Sequence, residues 1–131
     1  MTESTRKDVL VVDDDRFLRR ACEASLKQLG LAVRTAVDGV EALQAVDQKR
    51  PDLILLDLLM PRMPGLDVVR ALKRDEHTRS IPVLVLSNSS READVREVMD
   101  LGAVGYFVKA DMSLRELNER VLRCLDEQGV A

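Results

Sequence analysis

Five short apolar runs, each followed by an amphipathic stretch, set the narrowest limit on how this chain can fold. The runs are VLVV (9–12), LAVRTA (31–36), LILL (53–56), VLVL (83–86) and VGYFV (104–108). All but the second are nearly continuous in apolar side chains, the pattern of strands covered on both faces. The second alternates, with Leu31, Val33 and Thr35 against Ala32, Arg34 and Ala36, which fits an edge strand.

The intervening stretches carry helical spacing and helix signals. Leu18, Cys22, Leu26 and Leu29 form one stripe that stops at Gly30, and Asp38 is placed as the N-cap of the next helix. Leu66, Val69 and Leu72 share a face in a third segment. Ser89 with Glu92, and Ser113 with Glu116, have capping-box spacing, and Met112 is placed to staple Leu117. Strand and helix therefore alternate five times, which predicts an α/β fold with a parallel sheet and helices on both faces. A length of 131 residues suits one domain, expected over 1–131 with a core of about 7–128 and frayed tails.

Charge and composition exclude several classes. The net charge is −3, basic residues are scattered and aromatics are few, so no direct nucleic-acid surface is expected. No apolar run approaches the ~18 residues of a membrane span, and the N-terminus lacks a secretory h-region, which favours the cytoplasm and no membrane insertion. Cys22 and Cys124 have no CxxC or His neighbour and read as small buried hydrophobes, a disulfide between them being the less favoured alternative.

In an open parallel sheet, ligands bind beyond the carboxyl ends of the strands. The residues there are Asp13, Asp14 and Asp15 after VLVV, Asp57 after LILL, Ser87 after VLVL and Lys109 after GYFV. Each has a plain structural explanation. A strand-end Asp often caps a helix, as Asp15 is placed to do, Ser starts turns and Lys is usually solvated. Asp57 is the hardest to explain so, because LLM offers no helix to cap. Four strands delivering complementary groups to one rim point instead to a site. Clustered carboxylates bind hard cations such as Mg²⁺, and a carboxylate is itself a nucleophile toward phosphorus. An ammonium and a hydroxyl suit the phosphoryl oxygens. Lone His77 sits in a polar helix end with no partner residue.

With these residues in place, the chain resembles the receiver domain of two-component response regulators, the CheY-like family, from DVLVVDDD through GYFVKA. The resemblance implies a flavodoxin-like, doubly wound sheet of five parallel strands in order 2-1-3-4-5 with five helices. It implies that Asp57 is the phosphoacceptor, that Asp14, Asp57 and the backbone carbonyl of Leu59 hold Mg²⁺, and that Asp13 acts through water. Lys109 and Ser87 then contact the phosphoryl group, and Ser87 and Tyr106 form the switch. A histidine kinase or histidine phosphotransfer protein supplies the group, and an unidentified output protein reads the face at about residues 91–128. Such a protein is not an enzyme with a separate substrate; it assists its own phosphorylation and dephosphorylation. Because the chain ends after the fifth helix, a switch without a fused output domain is expected, with a receiver excised from a longer regulator as the alternative.

Departures from the pattern sharpen these expectations. Ala110 stands where Pro in a cis bond usually follows the lysine, so a trans, differently shaped loop is open here. Asn88 follows Ser87 where a small residue is usual. Leu59 is apolar at a position that influences hydrolysis, and Asp15 leaves the acidic register open by one residue. An alternative is a pseudo-receiver, an interaction module not controlled by phosphorylation. Haloacid-dehalogenase-like phosphatases need a second Asp where Leu59 stands, and flavodoxin-like FMN carriers need a Ser/Thr/Gly-rich loop where the three acids stand.

Overall fold

A computed structural model describes residues 6–88 and 92–129. The strands are β1 (Asp8–Val12), β2 (Ala32–Ala36), β3 (Leu53–Leu56), β4 (Val83–Ser87) and β5 (Gly105–Val108). The helices are α1 (Arg16–Gln28), α2 (Gly39–Gln48), α3 (Gly65–Arg74), α4 (Glu92–Asp100) and α5 (Leu114–Gly129). All strand pairings are parallel, in the order β2-β1-β3-β4-β5. The alternation of strand and helix and the edge position of the alternating strand β2 are those the sequence predicts, and the sheet order is the one the family resemblance implies.

The period-2 geometry of a strand splits each apolar run between two cores. Leu10, Val12, Ile54, Leu56, Val83 and Val85 pack under α2, α3 and α4 with Ala42, Val46, Val68, Val69, Leu72 and Val98. Val9, Val11, Leu53, Leu55, Leu84 and Leu86 pack under α1 and α5 with Cys22, Leu26, Leu117, Val121 and Leu125. Full burial of each such side chain is worth about 1.5–3 kcal/mol, which explains why the strands read as continuous apolar runs.

Two stripes differ from the sequence reading. Leu29 is exposed, because α1 ends at Gln28 and Leu29 turns away as its C-cap, while Leu31 takes the buried place. On α3, Val68 is fully buried and Leu66 only partly, because the helix starts at Gly65 and sets its inward face from there. The Ser113–Glu116 capping box forms, with Glu116 N–H donating to Ser113 Oγ at 3.1 Å and Ser113 N–H to Glu116 Oε1 at 3.1 Å. The Ser89–Glu92 box and the Arg91 end of the expected output face fall outside the described residues. Cys22 and Cys124 are both buried and are not joined in a disulfide.

Candidate functional site

The carboxyl ends of β1 and β3 lie side by side at the centre of the sheet, since Val12 pairs with Leu56. Each strand's ladder extends one residue further: Asp13 N–H bonds Ala36 O at 3.1 Å, and Asp57 N–H bonds Val12 O at 3.0 Å. Asp13 and Asp57 are thus fixed by the backbone at adjacent rim positions, both buried.

The third acid has a separate task. Asp15 is the N-cap of α1, its Oδ1 accepting from Phe17 N–H at 3.0 Å and Leu18 N–H at 3.2 Å. Its own N–H donates to Asp13 Oδ1 at 2.9 Å. One carboxylate oxygen from each of Asp13, Asp14 and Asp57 lies within 4.8 Å of the others. The clustered acids are thus Asp13, Asp14 and Asp57, while Asp15 is turned toward the helix. Arg19, one turn into α1, donates from Nη1 to Asp13 O at 2.9 Å and steadies the same loop.

Lys109 supplies the opposing charge. Its Nζ lies 2.8 Å from Asp13 Oδ2 and 3.2 Å from Asp57 Oδ2, and its side chain is only 10% exposed. Burial disfavours the ammonium, but the hydrogen bond to Asp13 and the charges of Asp57 and Asp13 more than offset this, so its pKa is raised. For Asp57, burial pushes the carboxyl up to about 6; Lys109 opposes this, Asp13 adds to it, and the Leu59 N–H, 3.2 Å from Oδ1, opposes it. Three carboxylates facing one ammonium leave excess negative charge in an all-oxygen donor set, which suits a hard divalent cation.

Ser87 closes β4, fully buried and paired in register with Val108, the residue before Lys109. Tyr106 pairs with Val85, so it shares a sheet face with Ser87, and it packs half-buried against the core under α2–α4. Leu59 stands 62% exposed beside the Asp57 carboxylate, and Asn88 is exposed. The Lys109–Ala110 bond is trans, and residues Lys109–Asp111 curl into a 3-10 turn. Ala110 lacks the ring that favours a cis bond, and the trans turn still brings the Lys109 ammonium to both aspartates. His77 is exposed in the turn after α3 and belongs to no such cluster. Cys22 lies below the site on α1, where burial first and then the Asp13 charge push its thiol up to about 11, so it is unreactive at neutral pH. Among the described residues, no helix is long and apolar enough to cross a membrane.

Two features of the site were not anticipated from the sequence. One is the Arg19 contact to the Asp13 carbonyl; the other is an ion pair between Arg62, in the β3–α3 loop, and Asp38. Arg19 carried a faint signal, as a cation four residues beyond a helix N-cap. Arg62 carried none, because its partner lies 24 residues away.

Comparison with known proteins bears on the family and the fold. Residues 9–122 match the response regulator receiver domain. The chain belongs to that family. It is 41% identical over 128 residues to the transcriptional regulatory protein PrrA of Mycobacterium tuberculosis, covering 98% of this chain and 54% of that protein. It is 35% identical over 125 residues to the alkaline phosphatase synthesis regulator PhoP of Bacillus subtilis, covering 95% of this chain and 51% of that protein. This receiver chain thus spans about half the length of these curated relatives. Among solved structures, Vibrio cholerae CheY4 superposes with a TM-score of 0.84 at 31% identity, covering 91% of this chain and 98% of that one. The phosphorylated cyanobacterial phytochrome response regulator RcpA superposes at 0.78 with 34% identity, covering 88% and 89%. Receiver membership makes this a module of phosphorylation-dependent signalling, and the named relatives are regulators.

Proposed function

We propose that Asp57 accepts a phosphoryl group from a histidine kinase or histidine phosphotransfer protein and that the resulting aspartyl phosphate changes the face made by α4, β5 and α5. The observation that carries this reading is the convergence of Lys109 on Asp57 and Asp13, beside Asp14. An Asp57 carboxylate oxygen attacks phosphorus, the bond from phosphorus to the donor imidazole nitrogen breaks, and histidine leaves. Lys109, already seated, pairs with the phosphoryl oxygens, and the Ser87 hydroxyl turns toward them. Tyr106 follows into the space Ser87 vacates, which alters the surface between β5 and α4.

Asp14, Asp57 and the Leu59 carbonyl would hold Mg²⁺, with Asp13 acting through water. When bound there, Mg²⁺ neutralises charge on the transferred group. The trans turn at Ala110 leaves Lys109 in reach of the acceptor, which favours a phosphorylatable receiver over a pseudo-receiver. That RcpA was solved phosphorylated is in keeping with this reading. We place this receiver domain in the cytoplasm, with residues 1–131 as one folding unit whose own surface signals through protein contacts.

Beryllofluoride, which mimics a phosphoryl group on a carboxylate, tests the switch. With Mg²⁺ it is expected to shift the amide resonances of Ser87, Tyr106 and α4, and with EDTA it is not. Shifts confined to Asp57 and its neighbours would contradict the coupling to Tyr106.

A further inference from the structure

The β3–α3 loop runs from the acceptor to Gly65 and is pinned at two places. The first lies under the acceptor: Gly65 N–H bonds Leu58 O at 2.9 Å, and a Cβ on Gly65 would overlap the Asp57 carbonyl oxygen. The second lies across the groove, at the start of α2. Arg62 Nε donates to Asp38 Oδ2 at 2.7 Å, while Asp38 Oδ1 caps α2 through Glu41 N–H at 2.9 Å. A Cβ on the adjacent Gly39 would come within 2.6 Å of the Met63 carbonyl oxygen, so the 61–63 bend sits directly on the helix N-terminus.

The second pin holds the backbone in an unfavourable shape. Arg62 has φ +66, the one non-glycine with positive φ among the described residues. An L-residue with a long side chain rarely takes this left-handed conformation unless its surroundings impose it. Asp38 is buried while Arg62 reaches it from the surface, and the arginine hydrogen bond, ahead of the other causes, holds the Asp38 carboxyl below its ordinary range. Leu59 lies between the two pins.

We propose that the Asp38–Arg62 pair is a positioning device that ties the loop carrying Leu59 to α2, and so presets the loop for cation binding and phosphoryl transfer at Asp57. This rests on the phosphoacceptor reading above, but the pair's effect on the loop does not. Neither residue touches the acceptor, so both act through the loop backbone.

Two variants test it. Asp38→Asn keeps a good N-cap for α2 and removes the charge that holds Arg62. Arg62→Gly removes the cation and relieves the left-handed strain, so loss of fold does not explain its effect. In metal-free protein, hydrogen exchange at the Leu59 and Gly65 amides is expected to quicken about tenfold in both variants, with exchange in β1 and β3 unchanged. Mg²⁺ affinity, read by calorimetry, is expected to weaken by about tenfold. The double variant should be no worse than either single one, because both remove the same contact. Loop exchange equal to wild type, or quickened equally in the strands, would overturn the positioning role. A wild-type protein that binds no Mg²⁺ would overturn the phosphoacceptor reading instead, while the exchange data still decide the clamp.

Discussion

The Lys109 ammonium rests 3.2 Å from Asp57 Oδ2, on the same side of the rim where it holds Asp13 Oδ2 at 2.8 Å. One cation thus spans two buried carboxylates at the ends of adjacent strands. This explains how a core strand such as LILL can end in an acid: the charge is buried with a partner rather than alone. On the proposed function, it also seats the cation for the phosphoryl group before that group arrives.

Replacing that cation should damage both stability and chemistry. In Lys109→Met the carboxylates face each other without compensation, and unfolding free energy at pH 7 is expected to fall by about 1–3 kcal/mol. Phosphoryl uptake from acetyl phosphate should slow by about 10²-fold, the usual cost of losing one charge-stabilising donor. Urea titration and a phosphorylation time course read the two effects. A variant phosphorylated at the wild-type rate would show that Lys109 serves the fold alone.

Asp57 should leave a mark on the pH dependence of stability. Its folded pKa is raised to about 6, by burial first and then by Asp13 against the pull of Lys109. An unfolded aspartate titrates near ~3.9, so the folded state holds this proton more tightly. The stabilisation from that proton is fully present below about pH 4 and is lost as pH rises through about 6. In EDTA, Asp57→Asn should therefore be more stable than wild type at pH 7, by about 1–2 kcal/mol once screening at the open rim is allowed for. The advantage should disappear near pH 4. Denaturation midpoints measured across that range check it, and a pH-independent difference would contradict the assignment.

Neighbouring acids Asp14 and Asp15 should behave differently. Asp15→Ala loses the α1 cap, with a stability cost of about 1 kcal/mol and unchanged Mg²⁺ affinity. Asp14→Ala should keep its stability and lose Mg²⁺ binding, since its carboxylate belongs to the cluster with Asp13 and Asp57. Calorimetric Mg²⁺ titration of the two variants separates them; the reverse pattern would move the metal site by one residue.

How much of this was legible beforehand depends on the range of each interaction. The strands and helices were readable because LILL or the Ser113–Glu116 box carries its signal within a few residues. The rim followed from topology, since a parallel sheet sends every strand's carboxyl end the same way. Asp15's role was settled only by its bonds to Phe17 and Leu18. Leu29 misled because helical periodicity does not say at which turn the helix stops. The trans bond at Ala110 and its 3-10 turn depend on a local choice that the absence of proline leaves open. The Arg62–Asp38 pair joins two loops that only the folded sheet brings together.

Leu59, exposed beside Asp57, should govern how long a phosphoryl group there persists. An apolar side chain there orients no attacking water, whereas an amide does. Leu59→Asn is expected to lose the phosphoryl group several-fold faster than wild type. Decay followed after removal of the donor gives both rates, and equal or slower loss in the variant would contradict this role.

The proposed phosphoacceptor is Asp57. Intact-mass spectrometry after incubation with acetyl phosphate and Mg²⁺ tests it most directly, with Asp57→Asn alongside. The predicted result is the gain of one phosphoryl group in wild type, sensitive to hydroxylamine and absent both in EDTA and in the variant. No gain in wild type, or an equal gain in Asp57→Asn, would contradict it.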